Sequence, residues 1–251
     1  MYQTLEKLSQ MKLHAMAAAF KEQLDQPSIS GLSFEDRFGM LVDQEWSSRE
    51  DRKLTRRLKA ARLKTHATVE EIDYQHPRGL DKSVVRSLAS CQWIRSHQNV
   101  IVTGPTGAGK SYLAEAFVNK ACREGFTAVR YRATRLFGEL DIAHGNGSYF
   151  NFLGRLAKFD LLSIDDWAVD PLTDEERRHF LNIMEDRHSL KSTFITSQYP
   201  VAKWHDRIGE PTMADAILDR IVHNAHKIAL KGEGGSMRKT RANLTDLGHQ
   251  K

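Results

Sequence analysis

The chain has 251 residues, 40% of them hydrophobic and 27% charged, enough for one sizeable globular domain with an extension. Its formal net charge of +5 and pI near 9.2 favour an acidic partner, of which nucleic acid is the commonest. Cys91 and Cys122 form neither a metal-ligand spacing nor a disulfide framework, and no apolar run approaches the ~18 residues of a membrane span, so a reducing cytoplasm and no membrane are expected.

Residues 1 to about 75 carry helical periodicity and no strand signal. Leu13, Met16, Phe20 and Leu24 share one helical face, which Pro27 and Gly31 end. Ser33 is a candidate cap for a second helix, with Asp36 three residues on. Phe34, Phe38, Leu41, Val42 and Trp46 are its expected apolar side. The same helix then turns basic: Arg49, Arg52, Lys53, Arg56, Arg57, Lys59, Arg62 and Lys64, offset only by Glu50 and Asp51. Arg49, Arg52, Arg56 and Lys59 share a face, so the run is expected to contact a phosphate backbone rather than water alone.

A connector ends near His76-Pro77-Arg78-Gly79, and a helix is expected from about Asp81 to His97. Asn99-Val100-Ile101-Val102-Thr103 then reads as a short buried strand. It runs into Gly104-Pro105-Thr106-Gly107-Ala108-Gly109-Lys110-Ser111, which fits the phosphate-loop pattern G-x-x-x-x-G-K-[ST] at every fixed position. Leu113, Ala116, Phe117 and Ala121 make the helix that this motif requires. The glycines let successive N–H groups point at an anion, and the helix adds the positive end of its dipole. Lys110 can reach the outer phosphates and the Ser111 hydroxyl can ligate Mg2+; Tyr112 follows at the same site. The expected ligands are therefore a nucleoside triphosphate and Mg2+.

Residues 127–132 form a candidate second strand, and Thr134 to Ala143 a helix before a glycine-rich loop at 144–148. Arg130 and Arg132 alternate with Val129 and Tyr131 and are weaker candidates for a second DNA contact. Asp160-Leu161-Leu162-Ser163-Ile164-Asp165-Asp166 is an apolar strand ending in two acids, the Walker B pattern. It places Asp165 where a carboxylate can hold Mg2+, and Asp166 where one can polarise a water. Thr173 to Glu176 is a capping box. Residues 193–197 are another buried strand, with Gln198 at its tip within reach of a terminal phosphate. Ala214 to His223 is a helix carrying Arg220, and residues 227–230 a last strand.

Strands alternating with helices give an α/β fold, a parallel sheet with helices on both faces. No Asn-Lys-x-Asp element selects guanine, which argues against a GTPase. A small-molecule kinase uses the same loop, but it needs a lid and leaves the basic helix unexplained.

The stretches GPTGAGKS, LLSIDD, ITSQ, ILDRIV and GGSMRK, in this order, resemble the AAA+ ATPases of the DnaC/IstB group, the IstB-like transposition helpers above all. The resemblance spans essentially the whole chain. It implies a helical N-terminal domain over residues 1–75 and an AAA+ P-loop NTPase core over 76–251 with a truncated C-terminal lid. It also implies an ATPase of the bacterial cytoplasm that oligomerises with ATP sites at its subunit interfaces. Such a protein binds and remodels double-stranded DNA and recruits a transposase to it; a DnaC-like helicase loader is the alternative. Carried onto this chain, Lys110 and Ser111 hold phosphate and Mg2+, Asp165 holds Mg2+, and Asp166 stands in for the usual catalytic Glu. Gln198 falls at the sensor position, Arg220 resembles the arginine finger and Arg238 the second sensor.

Overall fold

A computed structural model describes residues 2–26, 29 and 31–232 of the chain. It divides into two compact units, residues 1–56 and 57–251. The helical domain expected to reach residue 75 is therefore shorter, because residues 57–75 bond into the second unit. Within that unit Arg57 Nε donates to the Cys122 carbonyl at 2.9 Å, the Arg130 N–H donates to the Ala61 carbonyl at 3.0 Å, and the Thr65 N–H donates to Glu115 at 2.8 Å.

The first unit is helical: α1 (Tyr2–Gln10), α2 (His14–Asp25) and most of α3 (Phe34–Ala60). Lys12, at φ +60°, separates α1 from α2. Ser33 caps α3 as expected, its Oγ accepting from the Asp36 N–H at 3.1 Å. The apolar side expected for α3 is a departure: Leu41 is buried, whereas Phe34, Phe38, Val42 and Trp46 are exposed.

Glu45, which no sequence pattern marked, is the polar centre of this unit. α2 has no side-chain cap of its own. Glu45 Oε2 supplies one from α3, accepting from the Ala15 and Met16 N–H groups at 2.9 and 3.1 Å. Its other oxygen accepts from Arg49 Nε at 2.7 Å. The Arg49 guanidinium, then the Met16 and Ala15 amides, hold this carboxyl below its ordinary 4.5 against the opposing effect of burial.

In the second unit a five-stranded sheet has the order β2-β3-β4-β1-β5. The strands are β1 (Asn99–Thr103), β2 (Ala128–Arg132), β3 (Leu161–Asp165), β4 (Ser192–Ser197) and β5 (Ala225–Ala229). Every pairing is parallel. Parallel strands need helical crossovers, so both sheet faces are covered and the inner strands β1, β3 and β4 are buried almost throughout. The helices are α4 (Lys82–Ala89), α5 (Gln92–Arg95), α6 (Lys110–Arg123), α7 (Ala133–Gly145), α8 (Tyr149–Lys158), α9 (Asp174–Arg187), α10 (Trp204–Ile208) and α11 (Pro211–Val222). The single helix expected over 81–97 is two, broken where Cys91 takes φ +56°. Helix α8 is an addition to the expected elements. The capping box at the start of α9 is present in full, between Thr173 and Glu176. Burial pushes the Cys91 and Cys122 thiols up to about 11, so both behave as small core residues. Among the described residues no helix is long and apolar enough to cross a membrane.

β4 lies between β1 and β3, so the chain crosses over at the carboxyl ends of these strands, where open parallel sheets hold their ligands. The phosphate loop leaves β1, Asp165 ends β3, and Gln198 follows β4.

The Glu45 cap gives a prediction. Its carboxylate pairs in the folded state, so its contribution is present above pH 4.5 and is lost as pH falls through the depressed folded value. Glu45→Ala should cost about 1–2 kcal/mol, lowering hydrogen-exchange protection of the α2 amides about 5–30-fold at pH 7. Equal protection in the variant would mean that α2 draws no support from Glu45.

Candidate functional site

A cleft of about 510 Å³ opens at the carboxyl edge of the sheet. It is lined by Thr106, Gly107, Gly109, Lys110, Ser111 and Tyr112 on one side and by Asp165, Asp166 and Gln198 on the other. The site residues expected from the phosphate loop, the Walker B strand and the β4 tip thus come together.

The loop is built from positive-φ glycines. Gly107 and Gly109 lie at φ +87° and +90°, and Gly109 is the N-cap of α6. Gly104, at φ +150°, has a second reason to lack a side chain. A Cβ there would lie 2.6 Å from the Leu230 carbonyl oxygen and 2.9 Å from the Leu230 Cβ. The chain leaving β5 is held tightly under the loop, the Leu230 N–H donating to the Thr103 carbonyl at 2.7 Å. Arg78 adds a support from the connector. It is 1% exposed, and its guanidinium donates to the Ala108 carbonyl at 3.1 Å and the Asp73 carbonyl at 2.9 Å. Pro105 and Ala108 act through the loop backbone, which these contacts fix.

Lys110 is buried and donates to the Gly104 and Pro105 carbonyls at 2.7 and 2.9 Å. Its ammonium thus sits inside the curl that would receive a phosphate. Ser111 Oγ donates to Asp165 Oδ1 at 3.1 Å, joining the loop helix to the Walker B strand. Thr196 Oγ1 bonds the same Asp165 oxygen, and Arg130 bonds its other oxygen. Asp166 follows in the left-handed region at φ +56°, an arrangement costing on the order of 1–3 kcal/mol for a residue with a side chain. Two bonds to Thr196 hold it: the Asp166 N–H donates to Thr196 Oγ1 at 3.0 Å and the Trp167 N–H to the Thr196 carbonyl at 2.8 Å. The Asp166 carboxylate lies 3.1 Å from Arg132 Nε.

Arg130 takes a place other than the expected one. Arg130 was expected to face away from the buried side of β2, yet it is 7% exposed and paired with Glu115 and Asp165. The alternation argument fails because both faces of a parallel strand are covered. Arg132 and Lys64 are exposed and line the cleft. Arg62 is tied to Glu139 at 2.9 Å and stacked over Tyr131. On α3, Arg49 pairs with Glu45 and Lys53 with Glu50, and Arg52 reaches Glu45 at 3.6 Å. Glu45 thus offsets charge that appeared unbalanced in the sequence. Arg56 and Lys59 are exposed, and Arg57 is spent on the Cys122 carbonyl.

Arg220 lies on α11 outside this cleft. Its guanidinium donates to the Ala216 carbonyl at 2.7 Å and to Glu185 of α9 at 3.0 Å. Arg238 lies outside the described residues.

Three contributors had weaker signals. Glu115 is a lone acid in the buried stretch of α6, four residues after Ser111, and that isolation is a legible mark. Thr196 is one of four hydroxyl residues in the buried strand β4, one residue before its end. Arg78 has no sequence signal.

A five-stranded parallel sheet with a phosphate loop after β1 and a Walker B acid at the end of β3 defines a P-loop NTPase fold, and solved structures share it. The DnaC helicase loader superposes with a TM-score of 0.53 at 20% identity, over 66% of this chain and 97% of that one. DnaA from Aquifex aeolicus, bound to AMPPCP, superposes with a TM-score of 0.56 at 16% identity, over 74% and 57%. The chain belongs to the IstB-like ATP-binding proteins, whose family model matches residues 6–244. An insertion-sequence ATP-binding protein of Sinorhizobium fredii is 46% identical over 92% of this chain and 94% of its own. That of insertion sequence IS21 from Pseudomonas aeruginosa is 31% identical over 93% and 88%.

Two substitutions test the roles expected of Lys110 and Asp166. Lys110→Ala removes the charge from the loop, and loss of its charge-assisted contacts should weaken ATP binding by about 10²-fold. Asp166→Asn keeps the volume and should leave ATP binding intact while hydrolysis stops. Hydrolysis at the wild-type rate in Asp166→Asn, measured as phosphate release, would show that Asp166 is not the base.

Proposed function

We propose that the protein is a Mg2+-dependent ATPase that oligomerises on duplex DNA, remodels it and recruits or stimulates a transposase. The observation that carries the chemistry is the contact between Ser111 and Asp165 beside Lys110. A hydroxyl and a carboxylate 3.1 Å apart are hard oxygen donors that fit Mg2+, which keeps several of its waters. Ser111 and Asp165 would hold it. When bound, Mg2+ supplies positive charge for the phosphate oxygens. The loop N–H groups and Lys110 bind and orient the phosphates. Asp166 polarises the attacking water, and Gln198 touches the terminal phosphate or that water. Catalysis of phosphoryl transfer is mostly such positioning and charge stabilisation. The transposition role rests on the insertion-sequence relatives, which favour it over helicase loading.

In this reading Arg220 reaches a neighbouring subunit's cleft after leaving Glu185. An arginine finger in trans is worth roughly 10³–10⁵ in rate in other phosphoryl-transfer enzymes. Mixing Arg220→Ala with Lys110→Ala subunits should return part of the ATPase activity at mixed interfaces. No rescue at any ratio, in mixtures shown to co-assemble, would leave Arg220 a local partner of Glu185.

For DNA, Arg52, Arg56 and Lys59 are the proposed phosphate contacts on α3, whose successive turns rise ~5.4 Å along a groove edge. Phosphate contacts position without reading sequence. Replacing the three by Ala should weaken unrelated duplexes by similar factors, and the salt slope should fall by about one unit per lost contact. The measurement is duplex affinity across a salt series with ATP present. An unchanged affinity and slope in the folded variant would move the DNA site elsewhere.

A further inference from the structure

The cleft holds a buried charged group that the reading above does not use. Arg130 leaves β2 on the same face as Arg132 and reaches diagonally across the sheet to Asp165 of β3, since Arg130 registers with Ser163 and Arg132 with Asp165. One end of its guanidinium bonds Asp165 Oδ2. The other lies 3.4 Å from Glu115 Oε1 on α6. Glu115 is anchored in turn, its Oε2 accepting from the Thr65 N–H at 2.8 Å and from the Thr65 hydroxyl. The side chains of Arg130, Glu115 and Asp165 are 6%, 5% and 3% exposed. Arg130 Nε has no hydrogen-bond partner among the described residues, so the side chain is held by its two terminal nitrogens, one on each carboxylate.

We infer that Arg130 is a positioning residue for the cation site. Its fork fixes the Asp165 carboxylate so that one oxygen, Oδ1, is turned to Ser111 and to the Mg2+ that arrives with ATP. The inference rests on the Mg2+–ATP reading of the cleft. Three arguments support it.

The first is energetic. Taking an arginine and two carboxylates out of water carries a large desolvation cost, and apolar side chains of similar volume are often as stable. The triad is therefore weakly explained as a stabilising device and better explained as an orienting one.

The second is division of labour. Asp165 has one oxygen for Arg130 and the other for Ser111 and Thr196, so each of its faces is assigned. A carboxylate with Oδ2 pinned cannot rotate Oδ1 away from the loop.

The third is charge. Two carboxylates against one guanidinium leave the cluster with a net charge of about −1. That charge faces the cleft where a divalent cation would enter. Without Arg130, Glu115 and Asp165 would repel each other across the same space.

A bridging fork is a property of arginine. Lysine keeps the charge but is a single point that cannot hold two carboxylates in one plane. Arg130→Lys therefore isolates geometry from charge. The test is titration with a fluorescent ATP analogue in EDTA and again in excess Mg2+, on the full chain, with the melting temperature of each variant recorded. Wild type should bind more tightly with Mg2+. Arg130→Lys should keep its affinity in EDTA within about twofold, because the loop and Lys110 are untouched, and should lose about tenfold of the Mg2+-dependent gain. Glu115→Gln, which frees one end of the fork, should lose about threefold of that gain and carries the test if Arg130→Lys does not fold. A gain equal to wild type in folded variants overturns the inference. Equal weakening in EDTA and Mg2+ also overturns it, because it marks a prop of the cleft as a whole. A wild type without any Mg2+-dependent gain overturns the Mg2+ reading itself, which is a distinguishable failure.

Discussion

The Asp165 carboxylate is the point on which the second unit depends. It ends the inner strand β3, and side chains from α6, β2 and β4 converge on its two oxygens. An unpaired carboxylate in a low dielectric is costly, and this one is paired on both oxygens. Satisfying this one fixes the relative places of the loop helix and three strands. The cleft is therefore assembled by the same contacts that would later hold its ligand.

Around that point the fold separates rigid parts from adaptable ones. Gly104 is jammed against Leu230, and Arg78 ties the loop backbone to the connector. Lys110 is different. Its ammonium rests on two carbonyls of its own loop, contacts that a phosphate can replace with stronger charge-assisted ones. The strained backbone of Asp166 belongs to the rigid class, because Thr196 holds it on both sides. Strain maintained beside a cleft is a usual mark of a functional residue.

Most of the second unit was legible in the sequence, for physical reasons. The phosphate loop demands glycine where φ is positive and a lysine at the helix start, so its residues cannot vary much and still work. Short apolar strands and the Thr173 capping box are local patterns with local causes. What escaped was set by tertiary contact. The left-handed turn at Cys91 that splits the helix after residue 81 has no sequence mark, and neither has Arg78. Arg130 was misplaced because alternation assumes one wet face of a strand, and a parallel sheet has none. The basic run of α3 appeared freer than it is, since Glu45 lies one turn before it and Arg62 and Arg57 are committed to the second unit. The exposed Phe34, Phe38 and Trp46 show the converse: helical periodicity identifies an apolar stripe, and burial depends on what packs against it.

The most direct test of this account is a structure of the chain with a non-hydrolysable ATP analogue and Mg2+. The account predicts phosphates inside the curl of residues 104–111, with Lys110 Nζ moved from the Gly104 and Pro105 carbonyls onto them. It predicts Mg2+ about 2.0–2.1 Å from Ser111 Oγ, on the Oδ1 side of Asp165, with Arg130 still on Oδ2. Nucleotide bound elsewhere, or a cation that displaces Arg130 from Asp165, would contradict it.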